Sequence, residues 1–221
     1  MAMPIPEHPK LYHIVHVDRL PSILADGCLW SDAEAARRNC AGTTIGMTAI
    51  KRRRLEENVL MSHFGLMVGQ CVPFYFCPRS VMLYLISQAN NPDLAYRGGQ
   101  DPIVHLQFDL RAVVDWANGQ NKRWAFTLSN AGSRYFEDRA DLAQLGEINW
   151  TAVAARKWSG LGIDSAIKEG KQTEFLIEER CVWDLVESIG VASQGTYQRV
   201  VDALSQIGHR PPVEIQPNWY Y

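Results

Sequence analysis

The chain has 221 residues, 47% hydrophobic and 21% charged, enough for one large domain with a sizeable core. A formal net charge of -2 excludes a global positive field, so a nucleic-acid surface has to be a local patch. No apolar run reaches bilayer-spanning length, no secretory h-region opens the chain, and its five cysteines form no pairing framework; a cytoplasmic protein is expected, with no membrane association.

In chain order, 11–16 reads as a short strand, followed by a helix near 21–25 that Asp18 caps and Gly27 stops. Ser31 caps a second helix over 32–38. The polar stretch 39–46 then leads to the basic cluster Lys51-Arg52-Arg53-Arg54, with Glu56 and Glu57 marking a solvated helical turn. Residues 71–77 are apolar and aromatic with Pro73 near their head, a buried-strand signature, and Ser80 caps a helix over 81–87. A turn-rich loop over 90–102 precedes an alternating strand over 103–108, a helix over 110–116 and a strand over 124–128. Residues 129–170 have no clear period, and a long irregular insert in a compact domain is either functional or mobile. Strands over 174–177 and 182–189, a helix over 197–207 and a strand over 213–215 complete the chain. Short elements in irregular alternation, without a dividing linker, predict a single α+β domain over 1–221. No G-x-G-x-x-G and no phosphate-loop motif is present, which excludes the usual dinucleotide-fold and P-loop enzymes. Cys71 and Cys77 are spaced too widely for a zinc knuckle and have no second ligand pair, so no metal is expected.

Glu174 is the leading candidate for chemistry: it opens an apolar strand behind the polar run 168–172, a position suited to a general base or to stabilising a sugar cation. Most strand-end carboxylates have no such task, and one at a strand mouth is expendable for packing. His13 and His16 are three apart, which places them on opposite faces of a regular strand, one of them as readily a core residue. The arginines 52–54 read first as a solvated face; at a cleft mouth their guanidinium forks would hold a diphosphate or nucleic-acid backbone. Trp116, Trp124, Tyr135 and Trp150, interleaved with Lys122, Arg123, Arg134 and Arg139, suit base stacking with phosphate contact, core packing being the alternative for each aromatic.

Leu11-Tyr12-His13 before a helix ending at Gly27, Tyr75-Phe76 ahead of a helix opened by Ser80, and a strand beginning at Glu174 resemble the His-Tyr-Glu pattern of the ADP-ribosyltransferase superfamily. The stretches from His16 to Leu24, Val72 to Tyr84 and Pro102 to Leu106, with the terminal Trp219-Tyr220-Tyr221, are more specifically similar to the DarT family. That family comprises DNA ADP-ribosyltransferase toxins of bacterial toxin-antitoxin pairs, opposed by DarG, whose macrodomain removes the modification. The resemblance extends from residue 11 to the C-terminus. It implies a split two-sheet ADP-ribosyltransferase core with short flanking helices and an irregular substrate-covering insert. It also implies NAD as co-substrate, single-stranded DNA as acceptor and a DarG-like macrodomain antitoxin as partner. Thymidine is the acceptor in the better-known branch; guanine, RNA or protein acceptors, or non-catalytic nucleic-acid binding, are the alternatives.

Carried over residue by residue, Glu174 matches the catalytic glutamate and Arg54 the catalytic arginine, with Arg53 its nearest competitor. The NAD-binding set is His13, His16, Tyr75, Arg53 and Ser80, with His13 preferred for NAD although His16 is the more faithful DarT-type match. The expected DNA-binding set is Arg52, Arg79, Lys122, Arg123, Trp124, Arg156 and Trp158, with 120–170 covering NAD and guiding the strand.

Overall fold

The computed structural model describes residues 3–221. Strand β1 (Lys10–His16) runs antiparallel to β4 (Ile103–Asp109) along its whole length, from Lys10 opposite Asp109 to His16 opposite Ile103. On its other side β1 meets β3 (Cys71–Tyr75) at one pair only, Tyr12 opposite Tyr75. Pro73 explains why the ladder stops there: it has no N–H to give, and its carbonyl accepts from His13 Nδ1 at 2.7 Å instead of from a β1 amide. The sheet is thereby split. One half carries β1, β4, β9 (Ser188–Val191) and β10 (Val213–Ile215); the other carries β3, β7 (Glu174–Glu178), β5 (Trp124–Thr127) and β6 (Asp138–Arg139), in the order β10-β9-β4-β1-β3-β7-β5-β6. All these pairings are antiparallel except β9 with β10. A two-stranded sheet of β2 (Cys28–Trp30) and β8 (Arg180–Val182) lies apart.

Local chemistry sets the helices. Gly27, at φ 64°, stops α1 (Leu20–Asp26) in the left-handed region that other residues avoid. Ser31 and Ser80 accept from Glu34 and Leu83 amides at the starts of α2 (Asp32–Arg37) and α4 (Val81–Gln88). Asp109 accepts from the amides of Arg111 and Ala112 to open α5 (Leu110–Gly119), whose Leu110, Val113, Val114 and Ala117 form one buried stripe. That stripe joins Leu11 and Val15 of β1, Phe74 and Phe175 in the main core, while Ile14 packs with Leu83, Ile86, Ile103 and Tyr220 in a second cluster. No helix of the described residues is long and apolar enough to cross a membrane.

Four departures from the sequence reading matter for the site. The basic cluster belongs to a full helix, α3 (Thr48–Glu56), rather than to a turn. Strand β2 went unanticipated because three residues leave too short a pattern. The single strand expected over 182–189 is β8, a 3-10 turn at Trp183–Leu185 and β9; the turn buries Trp183 and moves the chain from the small sheet to the large one. The aperiodic 129–170 segment holds β6, a 3-10 turn at Leu142–Glu147, α6 (Trp150–Ala154) and α7 (Ser165–Gly170), and gives Leu145, Ile148, Trp150 and Val153 to the main core.

Candidate active site

The split opens into a cavity of about 610 Å³, within the size range of small-molecule sites. Its floor is made by His13 of β1, Tyr75 of β3 and Glu174, the first residue of β7. Register brings them together: Tyr75 pairs with Tyr12 on one side and with Glu174 on the other. The backbone of Glu174 is pinned by Thr127, whose hydroxyl accepts from the Glu174 amide at 3.0 Å and donates to Ser129 O at 2.7 Å.

Arg54 comes down from α3 onto this floor. Its Nη1 and Nη2 donate to Oε1 and Oε2 of Glu174 at 3.1 and 2.9 Å, a bidentate fork across 120 residues of sequence. Both groups are buried, Arg54 at 9% exposure and Glu174 at 5%. Burial works against the Arg54 charge, but the facing carboxylate outweighs it and the guanidinium pKa is raised. The Tyr75 hydroxyl is also held protonated, by burial first and by Glu174 second. His13 behaves oppositely: burial pulls its pKa down to about 4, only partly opposed by the Pro73 carbonyl. The ring is therefore neutral near pH 7, and because Nδ1 donates to Pro73, its Nε2 is left as an acceptor.

Of the expected NAD-binding residues, His13 and Tyr75 line the cavity, and Arg54 and Glu174 with them. Three others are placed elsewhere. His16 points to the other side of β1, where Nδ1 meets Asp18 Oδ1 at 2.7 Å and the ring lies edge-on to Tyr96. Arg53 donates to Gly132 O at 2.9 Å, and Ser80 is fully buried as the cap of α4. Successive helical positions turn by about 100°, so Arg52, Arg53 and Arg54 leave α3 in three directions. Arg52 is exposed beside Glu56, as the solvated-face reading expects.

The residues expected at DNA divide in the same way. Trp124 is a core residue, stacked on Phe175 with Nε1 donating to Asn118, which removes it as a free stacking platform. Lys122 pairs with Glu179 and Arg123 forks onto Glu178, at the end of β7 remote from Glu174, so neither charge is uncommitted. Trp158 is buried too, its Nε1 donating to the Tyr221 hydroxyl at 2.9 Å. The same hydroxyl donates to Arg79 O, and the Arg79 guanidinium lies 4.2 Å above the Tyr221 ring, so Arg79 and Trp158 share one aromatic cluster. Arg156 is exposed in the loop before α7.

Sequence reasoning missed Gln172, Arg19 and the ion pair of Lys51 with Asp32, all on the cavity wall. Gln172 reaches the wall from the turn between α7 and β7, where strand alternation does not apply, and Arg19 likewise had no signal in the sequence. Among the described residues no three His, Cys, Asp or Glu side chains cluster in a metal-binding arrangement.

A sheet split beside a buried glutamate at a strand mouth, with a histidine on the facing strand, is the architecture of ADP-ribosyltransferases. Within that class the chain belongs to the DarT family: the family model described as ssDNA thymidine ADP-ribosyltransferase, DarT, matches residues 12–221. It is 35% identical over 228 residues to a DNA ADP-ribosyl transferase of Thermus sp. (strain 2.9), with 100% of both chains covered. The solved structure of Thermus sp. 2.9 DarT in complex with ADP-ribosylated ssDNA matches at a TM-score of 0.89 and 32% identity, covering 100% of both chains. That of the Thermus protein in complex with NAD+ matches at a TM-score of 0.82 and 30% identity, covering 99% of this chain and 100% of that one.

Proposed function

We propose that this protein transfers ADP-ribose from NAD+ to the thymine base of single-stranded DNA, releasing nicotinamide, with Glu174 and Arg54 as the catalytic pair. The observation that carries the reading is the buried fork between these two side chains at the floor of the cavity. The family and the NAD+ and DNA complexes of the Thermus protein support substrate and acceptor.

The chemistry follows from the bond that breaks. The C–N bond between the ribose anomeric carbon and nicotinamide cleaves with both electrons going to nicotinamide, and positive charge develops on the ribose. An ionised carboxylate beside the ribose lowers the energy of that state. Arg54 orients the Glu174 carboxylate through its fork while each carboxylate oxygen keeps a further lone pair. The thymine imide nitrogen then bonds to the anomeric carbon and loses its proton. Arginine is already fully protonated, so the proton goes to Glu174, and Arg54 favours the anionic form of the imide. His13 Nε2 and the Tyr75 hydroxyl supply an acceptor and a donor for the nicotinamide ribose or its carboxamide. Ile14, Met82 and Leu85 give the cavity an apolar wall that limits water, the competing nucleophile.

A toxin paired with a macrodomain antitoxin of the DarG kind is the biological role that family membership supports. The test of the enzymatic reading is nicotinamide release from NAD+ in the presence of dT, dC, dA or dG homopolymers. Release coupled to labelling of the dT strand is expected. Release without any DNA adduct would make the chain an NAD+ hydrolase, and labelling of dG alone would move the acceptor.

A further inference from the structure

The cavity wall carries six charged side chains, and five of them are already engaged: Arg54 with Glu174, Lys51 with Asp32 at 2.6 Å, and Asp26 with Trp30 Nε1 at 2.9 Å. The sixth, Arg19, makes no hydrogen bond and no ion pair among the described residues, though it is half-buried. A guanidinium brings five donors, and a partly desolvated one left unmatched is costly until an anion arrives.

The stem of Arg19 is fixed even though its head is uncommitted. Gly42, at φ 108°, lies directly on it: a Cβ there would stand 2.5 Å from Arg19 Cγ and 3.1 Å from its Cα. The next residue, Thr43, is fastened by its amide and hydroxyl to Asp18 at 2.9 and 2.6 Å, and Asp18 is itself met by His16 Nδ1 at 2.7 Å. This gives His16 a role on the far face of its strand, as part of the latch that holds the 39–46 strap against Arg19. Three strand steps of about 3.3 Å separate His13 from His16, and Arg19 lies beyond a further turn. It therefore lines the wall at a point separated from His13 by the last steps of β1 and the 3-10 turn Val17–Arg19.

We infer that Arg19 binds the diphosphate of NAD+ and is the contact by which this cavity distinguishes a dinucleotide from its uncharged-linker fragments. Arginine forks match paired phosphate oxygens, and the other two cavity cations are neutralised by their own carboxylates. The inference rests on the NAD+ reading above. A DNA backbone phosphate presents the same chemistry, so the experiment has an arm for each source.

The test uses Arg19→Gln and Arg19→Lys in the full chain, with thermal melts to check folding; Arg19 makes no internal bond, so unchanged melts are expected. Calorimetric titration with NAD+, ADP-ribose and nicotinamide riboside gives one arm, and anisotropy of a labelled dT oligonucleotide the other. The expected result is at least tenfold weaker NAD+ and ADP-ribose binding by Arg19→Gln, less than twofold change for nicotinamide riboside, unchanged oligonucleotide binding, and partial recovery with Arg19→Lys. Equal weakening for NAD+ and the riboside, unchanged NAD+ affinity, or a loss confined to the oligonucleotide would each overturn the assignment. A wild-type chain that bound no NAD+ at all would overturn the reading beneath it as well.

Discussion

Removing either member of the Arg54–Glu174 pair should unfold part of what it was meant to probe. Glu174 is 5% exposed and accepts both forks of a guanidinium that is itself 9% exposed, so Glu174→Ala leaves an uncompensated buried cation. The expectation from sequence, that a strand-mouth carboxylate is expendable for packing, does not survive this geometry. Breaking one side of a buried pair costs about 3–5 kcal/mol, and the open cavity lets water reach the orphan, which favours about 3 kcal/mol. For a domain of this size that corresponds to a Tm loss of about 6–12 °C. Arg54→Ala should behave similarly, whereas the double variant has no orphan and should fall short of the sum by about 1.5 kcal/mol or more. Denaturant unfolding of the four proteins closes the cycle. Single variants within about 0.5 kcal/mol of wild type, with additive effects in the double, would show that the two side chains are not coupled in the fold.

Acid should destabilise the fold above the range where carboxylates titrate. His105 is fully buried with its pKa lowered by burial to about 4, so between pH 6.5 and 4 the unfolded chain gains a proton that the folded chain does not. Unfolding free energy then falls as pH drops through that window, by up to about 3 kcal/mol for this residue, with His13 adding in the same direction; a flat profile from denaturant melts at pH 7.5 and 4.5 would contradict it. Gly190→Ala places a Cβ 2.3 Å from the Trp219 ring and should cost about 1–3 kcal/mol, read as a lower Tm with altered tryptophan emission. Labelling of a thymine-containing strand should fall as its complement is titrated in at fixed salt, because the imide nitrogen is bonded within a base pair; undiminished labelling at full duplex would defeat the single-strand model.

What the sequence disclosed was mostly local. Ser31, Ser80 and Gly27 announced helix ends because each acts through its own nearest backbone groups. The three-residue offset of His13 and His16 predicted opposite faces, and the structure has one in the cavity and the other at Asp18. Long-range pairing was not legible. Glu178 and Glu179 consume Arg123 and Lys122, and only the β5–β7 register reveals it. Trp124 and Trp158 looked like stacking platforms because indole rings suit a core and a nucleic-acid surface equally well, and burial alone separates the two. Arg54 stood out from Arg52 and Arg53 by the family resemblance, whereas its fork onto Glu174 needed the fold.

Transfer of ADP-ribose to thymine through Glu174 is tested by mass spectrometry of a mixed-sequence single-stranded oligonucleotide after incubation with NAD+ and either the wild-type chain or Glu174→Gln, with both proteins confirmed folded. One ADP-ribose added at thymine by the wild type is expected, with loss of at least about 100-fold in that product with the variant. Transfer by Glu174→Gln at the wild-type rate, or an adduct confined to bases other than thymine, would contradict it.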